Sequence, residues 1–266
     1  MKRHLIILFS LALSLGIAAS CRKDHTEPVV TGDSVGSIVF KFAHYVNGSP
    51  LQKDTMIYTN AAGNQYEVNE LRYFISDVQL YKSGGSAMTI NDCKWADYVD
   101  IDIPSTLTWN VCDRIPAGTY DSIAFRFGII SAKNISYMFV NTPESNMQWP
   151  DVLGGGYHLM MMNGKWKDSI NQIENFNTHL GIGMEIIGAD TTFIDNSFRV
   201  SLPSSAFTLA KDASKEVQII MNIDSWFDSP YVYDHNHFGQ MIMQNQAAMH
   251  TISANGADVF QVGYIH

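Results

Sequence analysis

Apolar and polar positions alternate in short runs along most of this chain. From Ser37 to His44, the residues Ile38, Phe40, Phe42 and His44 fall on one parity, which places them on one face of a β-strand. Comparable strand candidates are Tyr66–Val68, Tyr73–Tyr81, Tyr98–Ile103, Ser122–Ile130, Tyr157–Met162, Gly181–Ile187, Phe193–Leu202 and Val217–Ile223. Turn-forming pairs punctuate them at Asn47-Gly48, Gly84-Gly85, Asn163-Gly164 and Asn255-Gly256. Helical periodicity is scarce: Asn69–Arg72 reads as a turn of helix and Gln240–Met249 as one short helix. The pattern predicts an all-β fold, a single antiparallel β-sandwich of Greek-key or jelly-roll type. Its loops over 134–156 and 225–250 are longer than hairpin connections require.

The first residues follow a different logic. Met1-Lys2-Arg3-His4 is a basic start, Leu5–Leu15 is largely apolar, and Gly16-Ile17-Ala18-Ala19-Ser20 leads into Cys21. That order is expected of a secretory signal over 1–20, and the apolar run falls short of the roughly 20 residues a membrane span needs. Small residues directly before Cys21 resemble a bacterial lipoprotein box, with Ala18 where leucine is usual. The expectation is a lipidated tether over 21–36, a folded domain over 37–266, and membrane contact through the lipid anchor alone. The start resembles those of Bacteroidota, which points to the outer membrane and leaves its two faces open.

Charge narrows the partners. Losing Lys2 and Arg3 with the signal takes the 17 basic residues to 15 against 26 acidic ones, a formal charge of −11. Such an excess argues against nucleic acid, whose affinity rests on basic contacts to phosphate. Of three cysteines, Cys93 and Cys112 remain once Cys21 is acylated, and in an oxidising compartment they are expected to pair.

Six of the nine histidines fall inside the domain and away from its end: His44, His158, His179, His235, His237 and His250. No Gly-x-Ser-x-Gly elbow and no His-Glu-x-x-His pair accompanies them, so no catalytic constellation is expected. Imidazoles from separate strands suit copper or zinc when each keeps one nitrogen neutral and the other held by a partner. His44 closes an apolar row and, taken alone, reads as a core histidine. His235 and His237 form a dense pair in Asp234-His235-Asn236-His237, a weaker metal candidate that fits a polar surface turn better. Met160-Met161-Met162 offers soft thioethers, although Met161, in step with Tyr157 and Leu159, reads as a packing residue.

Several stretches together resemble the MbnP-like copper-binding domain family. They are Phe42–Gly48, Glu70–Leu80, Met147–Pro150, Gly155–Met160, Asn177–Gly181 and Asn255–Phe260, in the expected order over nearly the whole mature chain. The resemblance implies a β-sandwich that binds copper through histidines, with His158 and His179 as the leading ligands and His44 as the third. Zinc is the alternative metal. It also implies that Trp149, with Tyr157, lies near the site; in some relatives a tryptophan there is oxidised to kynurenine, and some are paired with a di-haem peroxidase-like partner. Asn163 stands where the family pattern has a glutamate before Gly164, so an acidic role at that position is expected to be lost.

The implied function is copper sequestration or hand-off in the cell envelope. The rival is a non-metal β-sandwich binding a glycan or a protein, for which Trp95, Trp109, Trp149, Trp166 and Trp226 would supply exposed aromatic platforms.

Overall fold

A computed structural model describes residues 34–82 and 84–266. The expected signal segment, the expected lipidation site Cys21 and the expected tether up to residue 33 lie outside the described residues. Ser34–His266 forms one compact unit, an all-β sandwich of two large sheets. The first strand starts at Val35, slightly before the expected domain boundary at 37.

The smaller layer is built on β1 (Val35–Val46), whose apolar row Ile38, Phe40 and Phe42 is buried as the alternation predicts. Asn47-Gly48 turns the chain back with positive φ at both residues, the conformation a two-residue hairpin needs. The larger layer runs in the order β5–β4–β2–β3–β6. These strands are β2 (Gln65–Lys82), β3 (Gly118–Phe127), β4 (Met160–Lys167), β5 (Ile173–Leu180) and β6 (Phe198–Leu202). Two further strands, β7 (Ser214–Asn222) and β8 (Phe260–Ile265), extend the smaller sheet on one side of β1, and short segments at Ser49–Pro50, Thr108–Asn110 and Ile115–Pro116 also pair with β1.

Among the described strands the ladders are antiparallel except one: β1 and β7 run parallel over Ser37–Tyr45, which joins strands far apart in sequence. Between the layers lies one aromatic-rich core, including Tyr73, Phe125, Phe127, Trp226 and Phe260. Tyr73, Phe127 and Phe260 make mutual ring contacts at 5.5–6.4 Å.

Four local expectations change. Asn69–Arg72 is part of β2, because pairing with β4, and at Arg72 with the short strand Ala96–Asp100, overrides a weak helical signal. Asn163-Gly164 lies inside β4 at a register shift, and a Cβ on Gly164 would meet the Glu67 carbonyl at 2.0 Å. Glycine is needed there for close strand approach, not for a reversal. Phe193–Leu202 is divided at Asp195, whose Oδ1 accepts from the Ser197 N–H at 2.9 Å and bends the chain. The expected helix is displaced to α1 (Gln246–Asn255), where Asn245 caps it by accepting from the Ala248 N–H.

Cys93 and Cys112 are joined by a disulfide, fastening the segment before Trp95 to the strand edge beside β1. Closing a loop of 19 positions removes freedom chiefly from the unfolded chain. The Cys93→Ser/Cys112→Ser variant is expected to lose about 2–4 kcal/mol of stability. Urea unfolding of the variant against the oxidised parent measures it, and coincident midpoints would refute it.

Candidate metal centre

The Met147–Trp149 segment lies antiparallel to Gly156–His158 as an improvised strand pair. The Trp149 N–H donates to the Gly156 carbonyl at 2.8 Å, and the His158 N–H to the Met147 carbonyl at 2.7 Å. His158 then leads into β4, while β5 carries His179 alongside it. The two imidazoles meet edge to face, with ring centroids 5.1 Å apart.

Hydrogen bonding fixes both tautomers. His158 Nδ1 lies 2.8 Å from the Met147 carbonyl, which can only accept, so Nδ1 carries the proton and Nε2 keeps its lone pair. Asn163 Nδ2 donates to the Glu70 carboxylate at 2.9 Å, which turns Asn163 Oδ1 toward His179 Nε2 at 2.8 Å. His179 Nε2 therefore carries the proton, and Nδ1 keeps the lone pair. Those two remaining nitrogens, His158 Nε2 and His179 Nδ1, are both buried and have no hydrogen-bond partner.

Burial makes the charged forms costly. His158 is pushed down to about 4, chiefly by burial and partly against the hydrogen bond to Met147. His179 is pushed down to about 3 by burial, with His158 and Arg72 acting in the same direction. Arg72 is itself paired with Glu70 at 2.7 Å, so an ion pair, Asn163 and His179 form one polar chain across three strands. Glu70 and Arg72 were hidden by the helical reading of 69–72; the alternation of Glu70, Arg72 and buried Leu71 was the signal for a strand. Asn163, expected to mark a lost acidic role, holds His179 through its carbonyl oxygen instead.

Trp149 is fully buried against His158, ring centroids 4.7 Å apart, and its Nε1–H donates to the Leu153 carbonyl at 3.1 Å. Gly181 permits this: a Cβ there would lie 2.4 Å from the indole. Met161, the cross-strand partner of both His179 and Arg72, is half-buried at the rim of the core, while Met160 and Met162 are fully buried.

The other sequence candidates lie elsewhere. His44 belongs to the smaller sheet and points into the core, its Nε2 3.0 Å from the Tyr73 hydroxyl. Tyr73 and Arg72 are successive residues of β2 and face opposite ways, so the structure does not bring His44 to the pair. Tyr157 also serves another purpose. Its hydroxyl accepts from the Phe139 N–H at 2.8 Å and its backbone pairs with the Asn134 side chain, which ties down the 134–156 loop.

His235 and His237 do not share a face. His235 is fully buried, with Phe176, Phe227, Tyr233 and Trp166 rings at 4.6–5.5 Å, while His237 is exposed. Among the described residues, no group of three or more His, Cys, Asp or Glu side chains is placed to hold a metal. The site is therefore an imidazole pair.

The fold and site together define an all-β sandwich with two adjacent imidazoles, each keeping one buried nitrogen without a partner. The MbnP family model matches residues 35–248, and the chain belongs to the MbnP family, which ties it to a copper-associated group of proteins. The structure of MbnP from Methylosinus trichosporium is similar at 15% identity over 75% of this chain and 80% of that one, with a TM-score of 0.49. No curated protein matches the sequence.

Both folded-state pKa values lie below the ordinary 6.5, so the unfolded chain takes up protons first as pH falls. The stability contributed by the neutral pair is complete above pH 6.5 and is lost as pH drops through about 4 and then about 3. Unfolding midpoints should decline across that window, and less steeply in His158→Gln/His179→Gln; equal slopes would contradict this origin.

Proposed function

We propose that the protein binds one copper ion through His158 Nε2 and His179 Nδ1 and acts in copper sequestration or hand-off in the cell envelope. The observation that carries this reading is the pair of buried imidazole nitrogens with lone pairs and no partner. A buried acceptor without a donor is costly, and a metal ion compensates it. The second nitrogen of each ring is already held by a carbonyl, the arrangement that raises ligand basicity and fixes ring orientation.

The donor set also bears on metal choice. Zinc favours four nitrogen, sulfur or oxygen ligands in a tetrahedron, whereas Cu(I) accepts fewer and softer ones. Two imidazoles, with the Met161 thioether on the strand beside His179, suit Cu(I) better than a zinc centre. Bound copper would supply a redox-active, thiophilic centre; the chain's own part is to keep both imidazoles neutral, oriented and shielded beneath Trp149. Envelope placement rests on the export signal and lipoprotein-like cysteine expected at residues 1–21.

Metal analysis of purified protein loaded with copper and dialysed is expected to give about one copper per chain. His158→Ala/His179→Ala should abolish it, His44→Gln should retain it, and unchanged stoichiometry in the double variant would overturn the assignment. Asn163→Leu leaves both ligands in place but frees the His179 ring, and is expected to weaken copper binding about 10–100-fold in a competition titration.

A further inference from the structure

The outer face of the large sheet carries an unusual charge arrangement at the end opposite the histidines. Arg126 of β3 and Arg199 of β6 are direct cross-strand partners, a like-charge pairing that ordinarily destabilises a sheet. The surrounding chain is strongly acidic, yet among the described residues no carboxylate lies within ion-pairing distance of either guanidinium. Their partners are neutral. Arg126 donates to Ser197 Oγ at 3.0 Å, and that hydroxyl donates on to Asp195 at 2.6 Å, which leaves the carboxylate one bond removed. Arg199 donates to Gln79 Oε1 at 2.6 Å and to the Tyr81 hydroxyl, and lies over the Tyr81 ring at 5.6 Å. Both side chains are thus held in place with their charge uncompensated.

They open onto a cavity of about 320 Å³ shared with Asp77, Thr89 and Lys133. Asp77 is its one carboxylate, and Lys133 is paired with it. The same three residues line an adjoining cavity of about 570 Å³ whose wall includes Trp95 and Met138. Trp95 is half-buried there, with the Lys133 ammonium 5.0 Å from its ring centroid. The other tryptophans are buried in the core, so Trp95 is the aromatic face this surface offers to a ligand. A cationic pocket continuous with an aromatic wall matches a molecule that has an anionic group at one end and a ring at the other.

We propose that this cleft binds an anionic saccharide, with its carboxylate or phosphate on Arg126 and Arg199 and its sugar ring against Trp95. Paired guanidiniums match the forked geometry of either anion, and a bound anion relieves the Arg126–Arg199 repulsion. This site uses none of the residues of the histidine centre and stands independently of the copper reading.

Calorimetric titration of the purified full-length chain at low salt tests it, with tri-galacturonate and glucose 6-phosphate as the two anionic arms and maltotriose as the neutral control. At least one anionic arm is expected to bind with a dissociation constant below about 1 mM, and which one responds identifies the anion; maltotriose should not bind at that level. Arg126→Gln/Arg199→Gln, which keeps hydrogen-bonding groups, should weaken binding at least 10-fold while circular dichroism stays unchanged. Trp95→Ala should weaken the saccharides but leave the weaker binding of inorganic phosphate in place. No binding of either anionic sugar, equal binding of maltotriose, or unchanged affinity in the folded double-arginine variant would overturn the proposal. If the double-arginine variant lost its fold, binding by the parent that did not weaken with added salt would overturn it equally.

Discussion

The pairing of β2 with strands on both sides is the constraint on which the rest depends. Over Tyr73–Ser76 this strand is buried on both faces. Tyr73 reaches inward to Phe127, Phe260 and His44, while Phe74 faces outward under the 134–156 loop, stacked on Phe139 at 5.2 Å. On the same strand, Glu70 and Arg72 support the histidine centre at one end, and Asp77 and Gln79 line the cationic cleft at the other. A shift of one residue in its register would exchange inner for outer side chains throughout, and would break the core and both sites together. The irregularity between Ser76 and Gln79, with Asp77 at φ 50°, keeps polar groups outward beyond the doubly buried stretch.

Placed on that frame, the histidines illustrate how one residue type takes opposite roles from its surroundings. His44, His158, His179 and His235 are all buried enough to be driven toward the neutral form. His44 spends its Nε2 on Tyr73 and thereby belongs to the core. His235 is enclosed by rings, and neither of its nitrogens has a partner. Only His158 and His179 combine a carbonyl on one nitrogen with an open lone pair on the other, side by side. The open lone pair thus depends on what the other nitrogen does, a property that burial alone does not confer.

The aromatic residues divide in a similar way. Trp109, Trp149, Trp166 and Trp226 are almost wholly buried, which removes them as exposed platforms and assigns them to packing or, for Trp149, to covering His158. Trp95 alone among the tryptophans is half-buried, packed against the edge of the core and lining a cavity.

Strand-forming alternation at Ile38–His44, the Asn47-Gly48 hairpin and the Cys93–Cys112 pairing were legible in the sequence, since each depends on local geometry or on elimination. The resemblance in Gly155–Met160 and Asn177–Gly181 brought His158 and His179 forward as ligands. What the sequence could not decide was convergence. Whether His44 joins that pair depends on which sheet β1 enters, set by its long-range parallel pairing with β7, and on which way Tyr73 faces, set by the register of β2 against β4. Asn163 and Glu70 acquired their roles only when β2 and β4 were set in register, because a side chain's partner across a sheet is fixed by strands distant in sequence. Local alternation determined the strands; tertiary pairing decided which polar atoms met and which were left without a partner.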